Sequence, residues 1–169
     1  QTLIIKKLDP NAIATPATNN PQYIGMMGEL FGNTESYDYV GGGSPTIRVG
    51  LFMPFDAAYE VSTMISKGVS TEKGIYHFKT RRFIEFYEGV RLALDTLSTN
   101  GANIRLDVID TKDKIGFAEA TSGSTKYDLI IGPAHVGEMR IVADFAKLTR
   151  TPMVMPFGQM DSTLNDNPY

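Results

Sequence analysis

Four short apolar runs, each of strand length, recur after residue 46 with stretches of helical period between them. They occupy residues 47–52 (Ile-Arg-Val-Gly-Leu-Phe), 103–110 (Asn-Ile-Arg-Leu-Asp-Val-Ile-Asp), 127–132 (Tyr-Asp-Leu-Ile-Ile-Gly) and 151–156 (Thr-Pro-Met-Val-Met-Pro). The third is apolar on both faces, as a strand buried inside a parallel sheet must be. Between the first two runs, Phe83, Phe86, Tyr87, Val90, Leu94 and Leu97 recur three or four residues apart. That spacing predicts a helix over 79–100 with one buried face, ended by Asn100-Gly101. Gly89 in its middle weakens it, unless it serves close packing against the sheet. A second amphipathic helix is predicted over 138–149, with Met139, Val142, Phe145, Ala146 and Leu148 inward, and a short, weaker one over 116–124.

Strands alternating with helices predict an α/β fold. Its sheet should be parallel, with right-handed crossovers and helices on both faces, a three-layer sandwich. Ligands of such sheets lie beyond the carboxyl ends of the strands. Chain order places residues 54–59, 132–138 and 157–164 on that edge. Within them Tyr59, His135, Gln159 and Asp161 carry polar atoms suited to a ligand.

Residues 1–45 read differently. They hold Pro10, Pro16, Pro21 and Pro45 and the run Gly41-Gly42-Gly43, with no sustained period. We expect an extended N-terminal arm ending in a Gly-rich linker, followed by one domain over 46–169. A glycine run can cradle phosphate where a helix starts after it, but here a strand follows. Inside the arm, Tyr23, Ile24, Met27 and Phe31 form a short apolar stretch. It is too small to fold alone and is suited to burial against a protein partner. Residues 56–77 make a long polar connection, a length often functional.

The 169 residues suit one domain, and 42% hydrophobic with 21% charged residues suits a globular one. A net charge of −3 with no basic stripe argues against nucleic acid as a partner. The absence of cysteine removes thiolate metal sites, disulfides and cysteine nucleophiles. No apolar run reaches the length of a membrane span, and no signal peptide is visible. The two histidines, His77 and His135, stand in no metal-ligand spacing. His135 lies in the loop Gly132-Pro133-Ala134-His135, near Glu138, where it could meet a carboxylate or simply cap the next helix. Asp107 and Asp110, three apart on a strand, point to opposite faces and do not share a site. No nucleophile elbow, Walker loop or dinucleotide glycine pattern occurs. No catalytic residue, metal or cofactor is expected.

Five segments, in order, resemble the first lobe of the type I periplasmic binding protein fold, the Leu/Ile/Val-binding and receptor ligand-binding family. They are Ile47-Arg-Val-Gly-Leu-Phe-Met-Pro, Phe86-Tyr-Glu-Gly-Val-Arg-Leu-Ala-Leu-Asp, Leu106-Asp-Val-Ile-Asp-Thr, Asp128-Leu-Ile-Ile-Gly-Pro, and Thr151-Pro-Met-Val-Met-Pro followed by Leu164-Asn-Asp-Asn-Pro-Tyr. The resemblance covers residues 46–169 and implies an incomplete first lobe. It further implies a non-catalytic receptor-like domain of the bacterial cell envelope or periplasm, its signal peptide already removed, that binds a small polar solute by lobe closure. The crossover 113–126 is short for the family. The loops Ala134-His135-Val136-Gly137 and Gly158-Gln159-Met160-Asp161 lack the hydroxyls that amino-acid-binding members use. Those departures support an alternative, a structural subunit of an envelope complex that keeps the fold without a ligand and docks through its arm.

Overall fold

The computed structural model describes residues 35–43, 45–60, 62, 78–157 and 168. Its strands are β1 (Glu35–Tyr39), β2 (Thr46–Met53), β3 (Asn103–Asp110), β4 (Leu129–Ile131) and β5 (Met153–Val154). Its helices are α1 (Phe78–Thr99), α2 (Lys114–Ala120) and α3 (Val136–Thr149). The strands form one sheet in the order β1-β3-β2-β4-β5. From β3 to β5 all pairs are parallel, with Val49 opposite both Leu106 and Leu129.

β1 departs from expectation. It pairs antiparallel with β3, Tyr37 opposite Leu106, so the sheet is mixed rather than parallel throughout. It also lies within the stretch read from sequence as an arm, so residues 35–39 belong to the sheet. The alternation that selects it is slight: Tyr39 is buried and Tyr37 partly so, while Ser36 and Asp38 are exposed. The Gly41–Gly43 run steps from this edge strand over β3 into β2. Asn103 pins it, its Oδ1 accepting from the amides of Gly41 and Gly42 (2.9 and 3.0 Å) and its Nδ2 donating to the Gly43 carbonyl. A Cβ at Gly41 would lie 2.2 Å from the Ser98 carbonyl oxygen, so only glycine passes there. Tyr23, Ile24, Met27 and Phe31 lie outside the described residues.

The layers follow from the crossovers. The chain leaves β2 through α1 to reach β3 on one side, then returns past β2 through α2 to reach β4. Right-handed connections in opposite directions put the helices on opposite faces. On one face Phe83, Tyr87 and Leu94 of α1 bury against Val49, Leu51, Met53, Leu106 and Val108. On the other, Phe117 and Ala120 of α2 and Val142, Phe145 and Ala146 of α3 bury against Phe52, Ile109 and Ile130.

Three positions on the helices correct the sequence reading. Leu97 is 49% exposed although its spacing puts it inward, and Leu148, read as inward, is 76% exposed because nine residues from Met139 it lies on the opposite side of α3. Gly89 faces open space, with nothing within 4 Å of a Cβ built there, so it brings no helix closer to the sheet.

Candidate functional site

The strand order reverses direction at β2, whose neighbours β3 and β4 are reached by crossovers on opposite faces. In open α/β sheets such a reversal leaves a crevice beyond the carboxyl ends of the strands. Here the crevice is bordered by Pro54–Ala57 after β2, Thr111–Asp113 after β3, and Gly132–Val136 after β4.

Asp110, the last residue of β3, organises this edge. Its carboxylate accepts from the amides of Phe55 (3.1 Å), Asp56 (3.2 Å), Ala57 (3.0 Å) and Lys112 (2.9 Å). Burial pushes its pKa up, and those amide donors, which favour the charged form, pull against that. The carboxylate thus folds the loop after β2 back onto β3, with Asp56 in the left-handed region at φ 52°. Asp107 faces the other way, among β1 and β2 residues, so the two aspartates share no site.

Gly132 sets the approach of β4. Its φ is +105°, and a Cβ there would fall 2.1 Å from the Phe52 carbonyl oxygen. The next turn delivers His135 to the N-cap position of α3, where its side chain makes no capping hydrogen bond. The ring instead meets Phe83 of α1 edge-on, with centroids 5.5 Å apart. Phe157, after β5, stacks edge-on against Phe83 and Phe86 (5.5 and 5.0 Å), and Arg82 lies over Phe83 (4.6 Å). Partial burial lowers the His135 pKa below 6.5. The charges of Lys112 and Arg82 lower it further, and Glu138 opposes them.

Lys112 spans the crevice. Its Nζ lies 2.7 Å from Glu138 Oε1 in the first turn of α3, which ties the end of β3 to the helix after β4 across the end of β2. The helix N-terminus favours the Glu138 carboxylate there. Glu138 Oε2 and the Thr111 hydroxyl are both out of reach of solvent and have no hydrogen-bond partner among the described residues. Buried oxygens left in this way cost free energy unless a donor reaches them.

Of the residues selected from sequence, His135 sits within this constellation. Tyr59 follows β2 in a helical turn at 57–60 and is 53% exposed. Gln159 and Asp161 lie outside the described residues. Lys112 and Thr111 were not selected. Their signal was the Asp-Thr-Lys step at the end of a strand, but only the strand order shows that it faces Glu138.

Compared with family models, with curated proteins and with solved structures, the chain matches none. Among the described residues, no helix is long and apolar enough to cross a membrane, and no cluster of His, Asp and Glu could hold a metal ion.

Proposed function

We propose that this chain is a non-catalytic, receptor-like binding lobe of the cell envelope that takes a small polar solute at the carboxyl edge of its sheet. One observation carries this reading. Glu138 Oε2 and the Thr111 hydroxyl are buried and have no hydrogen-bond partner among the described residues, on the edge where the strand order reverses. A hydroxyl or ammonium donor on a solute would satisfy the carboxylate oxygen. Lys112, already paired to the other oxygen of Glu138, would hold an acceptor on the same solute. His135 stands beside them, its imidazolium form disfavoured by burial and by the Lys112 and Arg82 charges. Envelope placement and closure against a second lobe rest on the family resemblance of residues 46–169.

Calorimetric titration with anionic, cationic, zwitterionic and uncharged polar solutes tests it. Saturable binding by one class is expected, weakened about tenfold in Lys112→Met and in Glu138→Gln through loss of one charged hydrogen bond. Binding unaffected by both changes would move the site elsewhere. No saturable binding by any class would leave the structural-subunit alternative as the better reading.

A further inference from the structure

At the opposite end of the sheet, an open groove of about 580 Å³ runs beside the start of β2. Its walls are Arg48, Glu119 of α2, and Ser122, Ser124, Thr125 and Tyr127 of the loop that leads to β4. We propose that this groove binds a small molecule bearing a single oxyanion, a carboxylate or a phosphate, gripped by the Arg48 guanidinium. Five residues separate Arg48 from Met53 at the far end of β2, about 16 Å of strand, so this is not the carboxyl-edge site.

The guanidinium is fixed before any ligand arrives. Its Nε donates to Asp107 Oδ2 at 2.6 Å, and Asp107 is fully buried. Its plane lies over the Tyr127 ring, 5.6 Å from the centroid. The backbone beneath it is held as well: the Arg48 amide donates to Asp128 Oδ2 (2.7 Å), and the Asp128 amide donates to the Arg48 carbonyl (2.8 Å). That anchoring uses one face of the fork. The two terminal nitrogens have no hydrogen-bond partner among the described residues, and the side chain is 37% exposed toward the groove. A planar fork with paired free donors suits an oxyanion, and rigid placement reduces the entropy lost on binding.

The loop supplies one further hydroxyl donor. Ser122 spends its hydroxyl proton on the Glu119 carbonyl (2.7 Å), so Ser124 donates to Ser122 (2.9 Å). The Thr125 hydroxyl has no partner among the described residues and is free to donate. Glu119 puts a carboxylate on the wall, and Asp107 balances Arg48. The groove is therefore not a general cation trap for polyanions; it suits one anionic group on an otherwise neutral or cationic body.

Titration of the nitrogen-15-labelled protein with inorganic phosphate and, separately, with acetate at constant ionic strength tests this. Saturating shifts are expected at the Arg48 Nε–H and the amides of 119–127 with at least one of the two, and the responding ion identifies the chemistry. Arg48→Lys should weaken binding about tenfold, because a point charge replaces the fork. Thr125→Val leaves the Asp107 contacts intact and should weaken it about threefold, which keeps the test valid if Arg48→Lys disturbs the fold. Lys112→Met should leave it unchanged. Shifts that grow linearly with either ion, or equal affinity in Arg48→Lys and Thr125→Val, would overturn the proposal.

Discussion

The state of His135 is set by neighbours on three separate elements. Lys112 follows β3, Arg82 belongs to α1 and Glu138 to α3, and the ring itself abuts Phe83. Burial is the largest influence and, like the two cations, disfavours the imidazolium. The folded pKa therefore lies below the unfolded value of 6.5. As pH falls below 6.5 the unfolded chain takes up its proton first, so this residue's contribution to stability declines until the folded pKa is passed, then levels off. Lys112→Met should move the His135 pKa upward, both by removing a cation and by leaving the Glu138 charge unneutralised. Proton NMR titration of the ring measures it, and an unchanged or lower value would contradict the geometry. At this scale the sequence was informative in part. His135 was legible as a residue at the carboxyl edge of the sheet because the strand before it was legible. Glu138 was legible beside it, three residues on, but Lys112 was not, since it meets Glu138 only because β3 and β4 flank β2.

The two long helices were legible in period and bounds, but not in which of their positions face water. The 22 residues of α1 span about 33 Å, whereas the eight residues of β2 or β3 span about 26 Å. A helix longer than the strands it covers cannot bury every turn, and Leu97, in its last turn, is half exposed although its spacing is right. Leu148, in the last turn of α3, is exposed for a different reason: nine residues from Met139, it lies on the outer side of the helix. Gly89 illustrates the reverse error. A glycine inside a helix suggests close approach, but here it faces open space and only costs backbone entropy. Gly89→Ala should therefore stabilise the protein by about 0.8 kcal/mol, read as a higher urea midpoint with unchanged slope. A destabilised variant would mean that the α1 outer face is covered by something. β1 was illegible for another reason. An edge strand needs only one buried face and takes its order from its neighbour, so Tyr37 and Tyr39 were too faint a signal inside a proline-containing stretch.

Across the whole molecule, the three strands at one side of the sheet are clasped through a single carboxylate. Asp107 of β3 is fully buried. It accepts from Ser36 Oγ of β1 (2.6 Å) and Arg48 Nε of β2 (2.6 Å), while Arg105 Nε lies 3.5 Å away and also reaches toward Asp38. Parallel register puts Gly50 opposite Asp107, so no β2 side chain competes for that space. From sequence, Asp107 reads as one of several aspartates near a strand end; its role depends on β1 and β2 both adjoining β3, which no local pattern encodes. A buried charge that loses its partners is costly, but both arginine side chains are partly exposed, which screens them. Asp107→Asn should therefore cost about 2 kcal/mol, not the larger amount expected of a sealed ion pair. The loss should be uneven. β1 is joined to the sheet through β3 alone, so its amides over 36–39 should exchange with solvent well before those at the centre of β2 and β3. Hydrogen exchange on the variant measures this. Equal acceleration across β1, β2 and β3 would show that Asp107 stabilises the sheet as a whole and does not specifically retain its edge strand.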